Sequence, residues 1–123
     1  MNSHEPAFPY FMEVAPRDLT SDEREVVMKL LEGAGQEFRE QVAKLRVVGR
    51  CGCGECPTIF FQPDESGVAE GDLSTYAGTD KEGGIVGAVL LQKRGMLSQL
   101  EFYSADGHEP WSPPNARDLT PYT

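Results

Sequence analysis

The hydrophobic positions in "LTSDEREVVMKLLEG", residues 19–33, recur at intervals of three and four residues, the spacing of one helix face. The apolar residues on this face are Val26, Val27, Leu30 and Leu31. Thr20 and Glu23 have the spacing of a capping box, in which each side chain binds the other residue's backbone N–H. The pattern predicts a helix of about three turns that begins after Thr20.

A second helix is predicted over residues 36–45, "QEFREQVAKL". Phe38, Val42 and Leu45 are four and three residues apart, which again places them on one face. The link "GAG" between the two segments is short and rich in glycine. We therefore expect the two helices to form an antiparallel or sharply angled pair.

The spacing changes to that of strands from residue 46 onward. "RVVGRC" (46–51) and "TIFF" (58–61) are short runs rich in β-forming residues, and the Cys/Gly segment between them predicts the end of a hairpin. "IVGAVLLQ" (85–92) and "MLSQLEFYS" (96–104) flank the compact turn "KRG" and predict a second hairpin.

The remaining polar stretch and the chain ends complete the predicted fold. Residues 63–84 are expected to be mostly loop, with one short strand around residues 73–77. The chain is expected to be a single domain over residues 1–123, with irregular, proline-rich ends at 1–17 and 107–123. The predicted fold class is α+β, with two N-terminal helices packed on an antiparallel sheet of four or five strands.

Charge and hydropathy narrow the function classes. The chain has 20 acidic and 11 basic residues, a formal net charge of −9, which disfavours binding to the phosphates of nucleic acid. No run approaches the roughly 18 apolar residues of a membrane span. The first residues lack the basic segment of a secretory signal, and the cysteine count is odd, so we expect a cytoplasmic setting.

The segment "CGCGEC" carries the candidate metal ligands Cys51, Cys53 and Cys56. The two-residue gap between Cys53 and Cys56 lets both sulfurs reach one zinc ion, and Cys51 could add a third thiolate. Structural zinc requires four ligands, and no second cysteine pair follows. His108, far downstream, and His4, far upstream, are the histidines that could supply the fourth ligand.

Three other interpretations of this segment remain open. "CGEC" resembles a dithiol redox motif, but that chemistry needs a helix N-terminus after the cysteines, and a strand is predicted there. A disulfide between Cys51 and Cys56 could close the hairpin end. The interpretation that the sequence favours is structural: small cysteines and glycines fill a tight turn, and no cofactor other than zinc is suggested.

No catalytic constellation is evident, and we predict that the protein is not an enzyme. The sequence lacks a nucleophile elbow and a phosphate-binding loop. A weaker alternative is a small enzyme that uses Glu101 or His108 as its proton carrier. Phe60 and Phe61 are adjacent and should face opposite sides of a strand, so we expect one of them at the surface or at an interface.

The runs "RVVGRCGCGECPTI" and "GAVLLQKRGMLSQLEFYS", with the proline-rich segment that follows, carry a family resemblance. Over residues 46–114 the chain resembles a family of small, uncharacterised bacterial proteins with a VVGRC-x-CG-CPT hairpin and an LSxLExYS strand. The resemblance implies a stand-alone bacterial cytoplasmic domain, and it assigns no activity, cofactor or catalytic residue.

The leading functional hypothesis is a non-enzymatic, acidic protein-binding module. Its charge would suit a basic protein partner, as in an immunity or antitoxin-like protein, and a homodimer is the other partner considered. The alternative hypothesis is a small metal-binding or thiol-reactive protein that uses Cys51, Cys53 and Cys56.

Overall fold

A computed structural model describes residues 11–53, 56–63 and 71–122 of the protein. The strands are β1 (Phe11–Asp18), β2 (Arg46–Cys51), β3 (Ile59–Phe60), β4 (Gly71–Thr79), β5 (Ile85–Lys93), β6 (Met96–Ser104) and β7 (Thr120–Pro121). The α-helices are α1 (Ser21–Leu30) and α2 (Gln36–Arg39), and 3₁₀ turns occur at Val42–Lys44 and Ala116–Asp118.

The seven strands within the described ranges form one sheet in the order β1-β2-β3-β6-β5-β4-β7, and every neighbouring pair is antiparallel. The predicted α+β fold, with two helices on a sheet of four or five strands, is therefore wrong. One ten-residue helix and one four-residue helix accompany a sheet that dominates the fold.

Helix α1 confirms the N-terminal capping prediction. The Glu23 N–H donates to Thr20 Oγ1 at 3.1 Å, and the Thr20 N–H donates to Glu23 Oε1 at 2.8 Å. Arg17 holds the same carboxylate in an ion pair at 2.9 Å. The helix buries Val26, Val27 and Leu30. Among the described residues, no helix is long and apolar enough to cross a membrane.

The predicted second helix over residues 36–45 is wrong, because only its first turn is α-helical. Gln41 explains the break. Its Nε2 donates to the Gly95 carbonyl at 3.0 Å, and its Oε1 accepts from the Leu97 N–H at 2.7 Å. These bonds tie Gln41 to the β5–β6 hairpin, and the chain continues as a 3₁₀ turn.

The N-terminal end is also more regular than predicted, since β1 occupies residues that were expected to be irregular. Between Glu13 and Arg17 the strand advances four residues while its partner β2 advances two. Pro16 lies inside this bulge at the edge of the sheet, where its missing N–H interrupts no regular ladder. The predicted irregular segment at residues 1–10 lies outside the described residues.

Strand β4 confirms the short strand expected around residues 73–77 and extends it at both ends, so less of residues 63–84 is loop than predicted. All nine of its residues lie in one strand between β5 and β7. Tyr76 is buried there, and Ser74 Oγ donates to the Leu30 carbonyl at the end of α1 at 2.6 Å. The proline-rich tail is irregular as predicted until its 3₁₀ turn and β7, which pairs with β4.

Both predicted hairpins are confirmed. β2 pairs with the short strand β3. β5 and β6 pair with each other along nearly their full length. The β5–β6 turn consists of Arg94 and Gly95, with φ values of 56° and 78°. Positive φ at both positions is the requirement of a type I′ turn, whose twist matches that of the flanking strands.

The core lies between α1 and one face of the sheet. On β5 the core residues are Val86, Ala88 and Leu90, and the residues paired with the last two are Phe102 and Leu100. Phe60 and Phe61 are both buried, so the expectation that one of them is exposed is wrong. Phe60 packs against the edge of Phe11, with ring centroids 5.3 Å apart and planes at 81°.

Leu90→Ala should test the position of this core. Leu90 is fully buried, whereas its neighbour Leu91 is partly exposed, so the two form a matched pair on one strand. We expect Leu90→Ala to lower the free energy of unfolding by about 2–5 kcal/mol. Leu91→Ala should lower the free energy of unfolding clearly less, as measured by urea denaturation. Equal losses for the two variants would show that the core does not lie on the face of the sheet that carries Leu90.

Candidate metal centre

The cysteine turn joins the end of β2 to the start of β3 and is fixed at both ends. At its first end, Cys51 pairs with Phe11 of β1, and the Cys51 N–H donates to the Thr58 carbonyl at 3.2 Å. At its second end, Thr58 is fully buried, and its Oγ1 accepts from the Phe102 N–H at 3.0 Å. The turn is therefore held by the sheet on either side.

The structure brings the three predicted ligands together. The sulfurs of Cys51, Cys53 and Cys56 all lie within 4.8 Å of one another, and none is in a disulfide. Cys51 is buried, Cys53 is exposed and Cys56 is intermediate. Zn–S bonds of about 2.3 Å in a tetrahedron separate two sulfurs by about 3.8 Å, so the sulfurs would need to approach by at most about 1 Å.

Backbone N–H groups within the turn point at these sulfurs. The Cys53 N–H donates to Cys51 Sγ at 3.5 Å, and the Cys56 N–H donates to Cys53 Sγ at 3.3 Å. Hydrogen bonds of this kind favour the thiolate, which is the form that binds metal. The turn thus offers its ligands partial charge compensation from the main chain.

Cys56 does not have the properties of a redox nucleophile. Burial of its thiol raises the pKa of Cys56 to about 11, even though hydrogen bonds from Thr58 favour the thiolate. A reactive dithiol needs a lowered pKa. The residues that follow Cys56 lead into β3 and form no helix whose dipole could lower it.

Three sulfurs are the candidate ligands that the described part of the chain offers at this site. Within residues 11–53, 56–63 and 71–122, no His, Asp or Glu ligand atom joins the three sulfurs at this spacing. His108, which the sequence offered as a fourth ligand, is bound elsewhere, and His4 lies outside the described residues. We find the three cysteines assembled and His108 separate from them.

Sequence reasoning missed a second cluster, which we call the histidine clasp and define as Asp80, Asp106 and His108. His108 Nε2 lies 2.9 Å from Asp80 Oδ2, and His108 Nδ1 bonds to Asp106 Oδ1. When the ring is protonated, both nitrogens donate, one to each carboxylate. The segments "TDKEGG" and "SADGHE" carry the turn residues involved, but nothing in either pattern links them.

The clasp fastens the proline-rich tail to the β4–β5 turn. The Asp80 side chain is fully buried and also accepts the N–H groups of Glu82, Gly84 and Ser112, each at 3.0 Å. The imidazole lies against Gly84 so closely that a Cβ at this position would collide with it. Position 84 therefore requires glycine for packing.

The fastened tail forms one wall of a cavity of about 430 Å³ beside the start of α1. Its polar and charged lining residues include Thr20, Asp22, Glu25, Lys81 and Asn115. Both nitrogens of His108 are occupied by carboxylates, and the imidazole does not line this cavity. The clasp thus shapes the cavity through the tail.

The pKa values follow from these contacts. Burial acts to raise the pKa of Asp80, but the hydrogen bond from His108 and those from backbone N–H groups outweigh it and hold the pKa well below its usual range. The hydrogen bond from His108, followed by that from the Ile85 N–H, lowers the pKa of Asp106 to about 2. Hydrogen bonds to Asp80 and then to Asp106 raise the pKa of His108.

His108→Gln should lower the melting temperature most between about pH 4 and pH 6.5. The raised pKa of His108 stabilises the fold fully below its unfolded value of about 6.5, and this contribution is lost as pH rises through the folded pKa. The lowered pKa values of Asp80 and Asp106 stabilise the fold above about pH 4, and that contribution is lost in stronger acid.

Thermal melts from pH 4 to pH 9 measure this effect. Asp118→Asn, which changes an exposed carboxylate of the same tail, is the control and should leave the pH profile unchanged. A loss for His108→Gln that stays constant across this range would show that the ion pairs of the clasp contribute nothing.

Comparison with protein-family models, curated proteins and solved structures gave no match. The resemblance to a bacterial family therefore stays a prediction. What the three cysteines can bind follows from their own geometry and chemistry.

Proposed function

We propose that the protein binds a thiophilic metal ion through Cys51, Cys53 and Cys56. The observation that carries this proposal is the convergence of three sulfurs, each within 4.8 Å of the other two, in one turn. Sulfur ligands favour soft or borderline ions such as zinc and copper(I) over magnesium and calcium, which prefer oxygen. Zinc is the cofactor that the sequence suggested.

The position of the turn in the sheet supports binding. The Cys51–Thr58 and Thr58–Phe102 hydrogen bonds hold the two ends of the turn, which lowers the entropy cost of bringing those ends together around an ion. An ion that binds only the folded chain would also stabilise it by mass action. Binding would link the end of β2 to the residues that precede β3.

Protons compete with a divalent ion at this site. Because burial raises the pKa of Cys56 to about 11, its sulfur is a thiol at neutral pH, and a divalent ion must displace that proton. The affinity for such an ion should therefore increase with pH. The exposed position of Cys53 gives ions access from solvent.

The hypothesis of an acidic protein-binding module stays a prediction. It rests on the net charge of −9 that the chain carries. A basic protein partner and a homodimer remain predictions as well.

Titration of the reduced, untagged protein with Co²⁺ and Zn²⁺ tests the proposed function. We expect one ion per chain and the intense absorption of cobalt–thiolate bonds, since all three ligands are sulfurs. Cys51→Ser, Cys53→Ser and Cys56→Ser should each lower the metal affinity at least about tenfold. Removing a residue that only hydrogen-bonds to a ligand already costs about that much, and a ligand itself should cost no less.

Met96→Ala is the control, because Met96 is an exposed sulfur-bearing residue at the β5–β6 turn. Its binding should equal that of the unsubstituted protein. If less than about a tenth of an ion per chain binds at saturating Co²⁺ and Zn²⁺, the site does not bind these two ions. A loss in Met96→Ala equal to that in the cysteine variants would contradict the assignment of the ligands.

A further inference from the structure

The number of sulfurs and their partial burial restrict which ion the cysteine turn can hold. We propose that its ligand is a trivalent, three-coordinate thiophilic element, namely arsenic(III) or antimony(III), bound by Cys51, Cys53 and Cys56. This inference rests on the proposed function, since it names the class of ion that the same site takes. Ligand count, net charge and proton balance each support it.

Ligand count is the first argument. A structural zinc ion needs four protein ligands, and the described residues provide three at this spacing. Trivalent arsenic forms three single bonds and carries a lone pair in the remaining direction. Three sulfurs therefore complete its coordination, and no fourth residue is required.

Net charge is the second argument. Three thiolates leave a charge of −2 around copper(I), −1 around zinc and zero around arsenic(III). Cys51 is 4% exposed, and an unbalanced charge beside it would be costly in so buried a place. The whole chain already carries −9, which does not favour a further anion. The neutral complex fits this environment best.

Proton balance is the third argument. Arsenite is As(OH)₃ near neutral pH, and it reacts with three thiols to give three As–S bonds and three molecules of water. Each As–O bond that breaks takes its oxygen away as water together with one thiol proton, and arsenic stays trivalent throughout. The exchange of neutral arsenite with three thiols thus releases no net proton, whereas Zn²⁺ must displace a proton from each thiol that it binds.

Parallel titrations of the reduced, full-length protein with arsenite and with Zn²⁺ test the inference. Native mass spectrometry should show a gain of one arsenic atom less three hydrogens per chain. At pH 7 we expect arsenite to bind at least about tenfold more tightly than Zn²⁺, a difference of about 1.4 kcal/mol. Between pH 6 and pH 8 the arsenite affinity should change little, while the Zn²⁺ affinity rises.

Two variants, and binding measured in urea, test whether arsenite binds the three sulfurs of the folded protein. Cys53→Ser alters an exposed residue and should abolish the three-bond adduct without unfolding the protein, as checked by circular dichroism. Glu55→Gln removes a carboxylate within the cysteine segment and should leave arsenite binding unchanged. Unfolding in urea should weaken arsenite binding, because the fold holds the sulfurs together.

The outcomes separate this inference from the proposed function. Tighter binding of Zn²⁺ than of arsenite, or loss of arsenite binding in Glu55→Gln, would overturn the trivalent-ion inference and leave the metal site standing. Arsenite binding that is equally tight in urea would also overturn it. If neither arsenite nor any of Zn²⁺, Co²⁺ and copper(I) binds, both proposals fail.

Discussion

Two residues, Ile59–Phe60, hold the sheet together across its middle. This strand, β3, is the link between β1 and β2 on one side and the other four strands on the opposite side. A strand of two residues makes few backbone hydrogen bonds to its neighbours. The residues immediately before and after β3 make further hydrogen bonds to β6. Thr58 Oγ1 accepts from the Phe102 N–H, and the Phe61 N–H donates to the Ser98 carbonyl at 2.8 Å. The placement of β1 and β2 depends on these contacts.

The cysteine turn inherits its geometry from the same strand. Cys51 ends β2, and Cys56 lies two residues before Thr58, so the contacts that attach β3 to β6 also fix the separation of the turn's ends. In small zinc-binding domains that are unfolded without their ion, metal binding supplies the folding free energy. Here the sheet already brings the sulfurs together. The free energy of ion binding is therefore not spent on folding the chain, and it can contribute fully to the affinity for the ion.

The sequence predicted those elements whose determinants are local. The capping box of α1 and the β5–β6 turn each depend on a few neighbouring residues, and both are confirmed. The predicted second helix ends early because Gln41 bonds to the distant β6. β4 was predicted too short, because pairing with β5 extends the strand beyond residues 73–77 in both directions.

The histidine clasp was missed for a related reason. Asp80 and His108 are 28 residues apart, and each lies in a polar turn that looks ordinary alone. The three cysteines were found because the sequence itself places them together, although their mutual distance and burial depend on the sheet. Periodicity and spacing report contacts along one element, and they cannot report a bond between two turns.

The histidine clasp and the cysteine turn differ in how many hydrogen-bond donors surround their buried ionisable groups. Asp80 is fully buried, yet hydrogen bonds from His108 and from three backbone N–H groups hold its pKa well below the usual range. Cys56 is less buried but has weaker compensation, so its pKa rises and it stays a thiol. The two backbone N–H groups that donate to sulfurs in the cysteine turn compensate negative charge less fully than the four donors to Asp80 do. The proposed trivalent ligand leaves no net charge on three sulfurs, so it would need the least compensation from such donors.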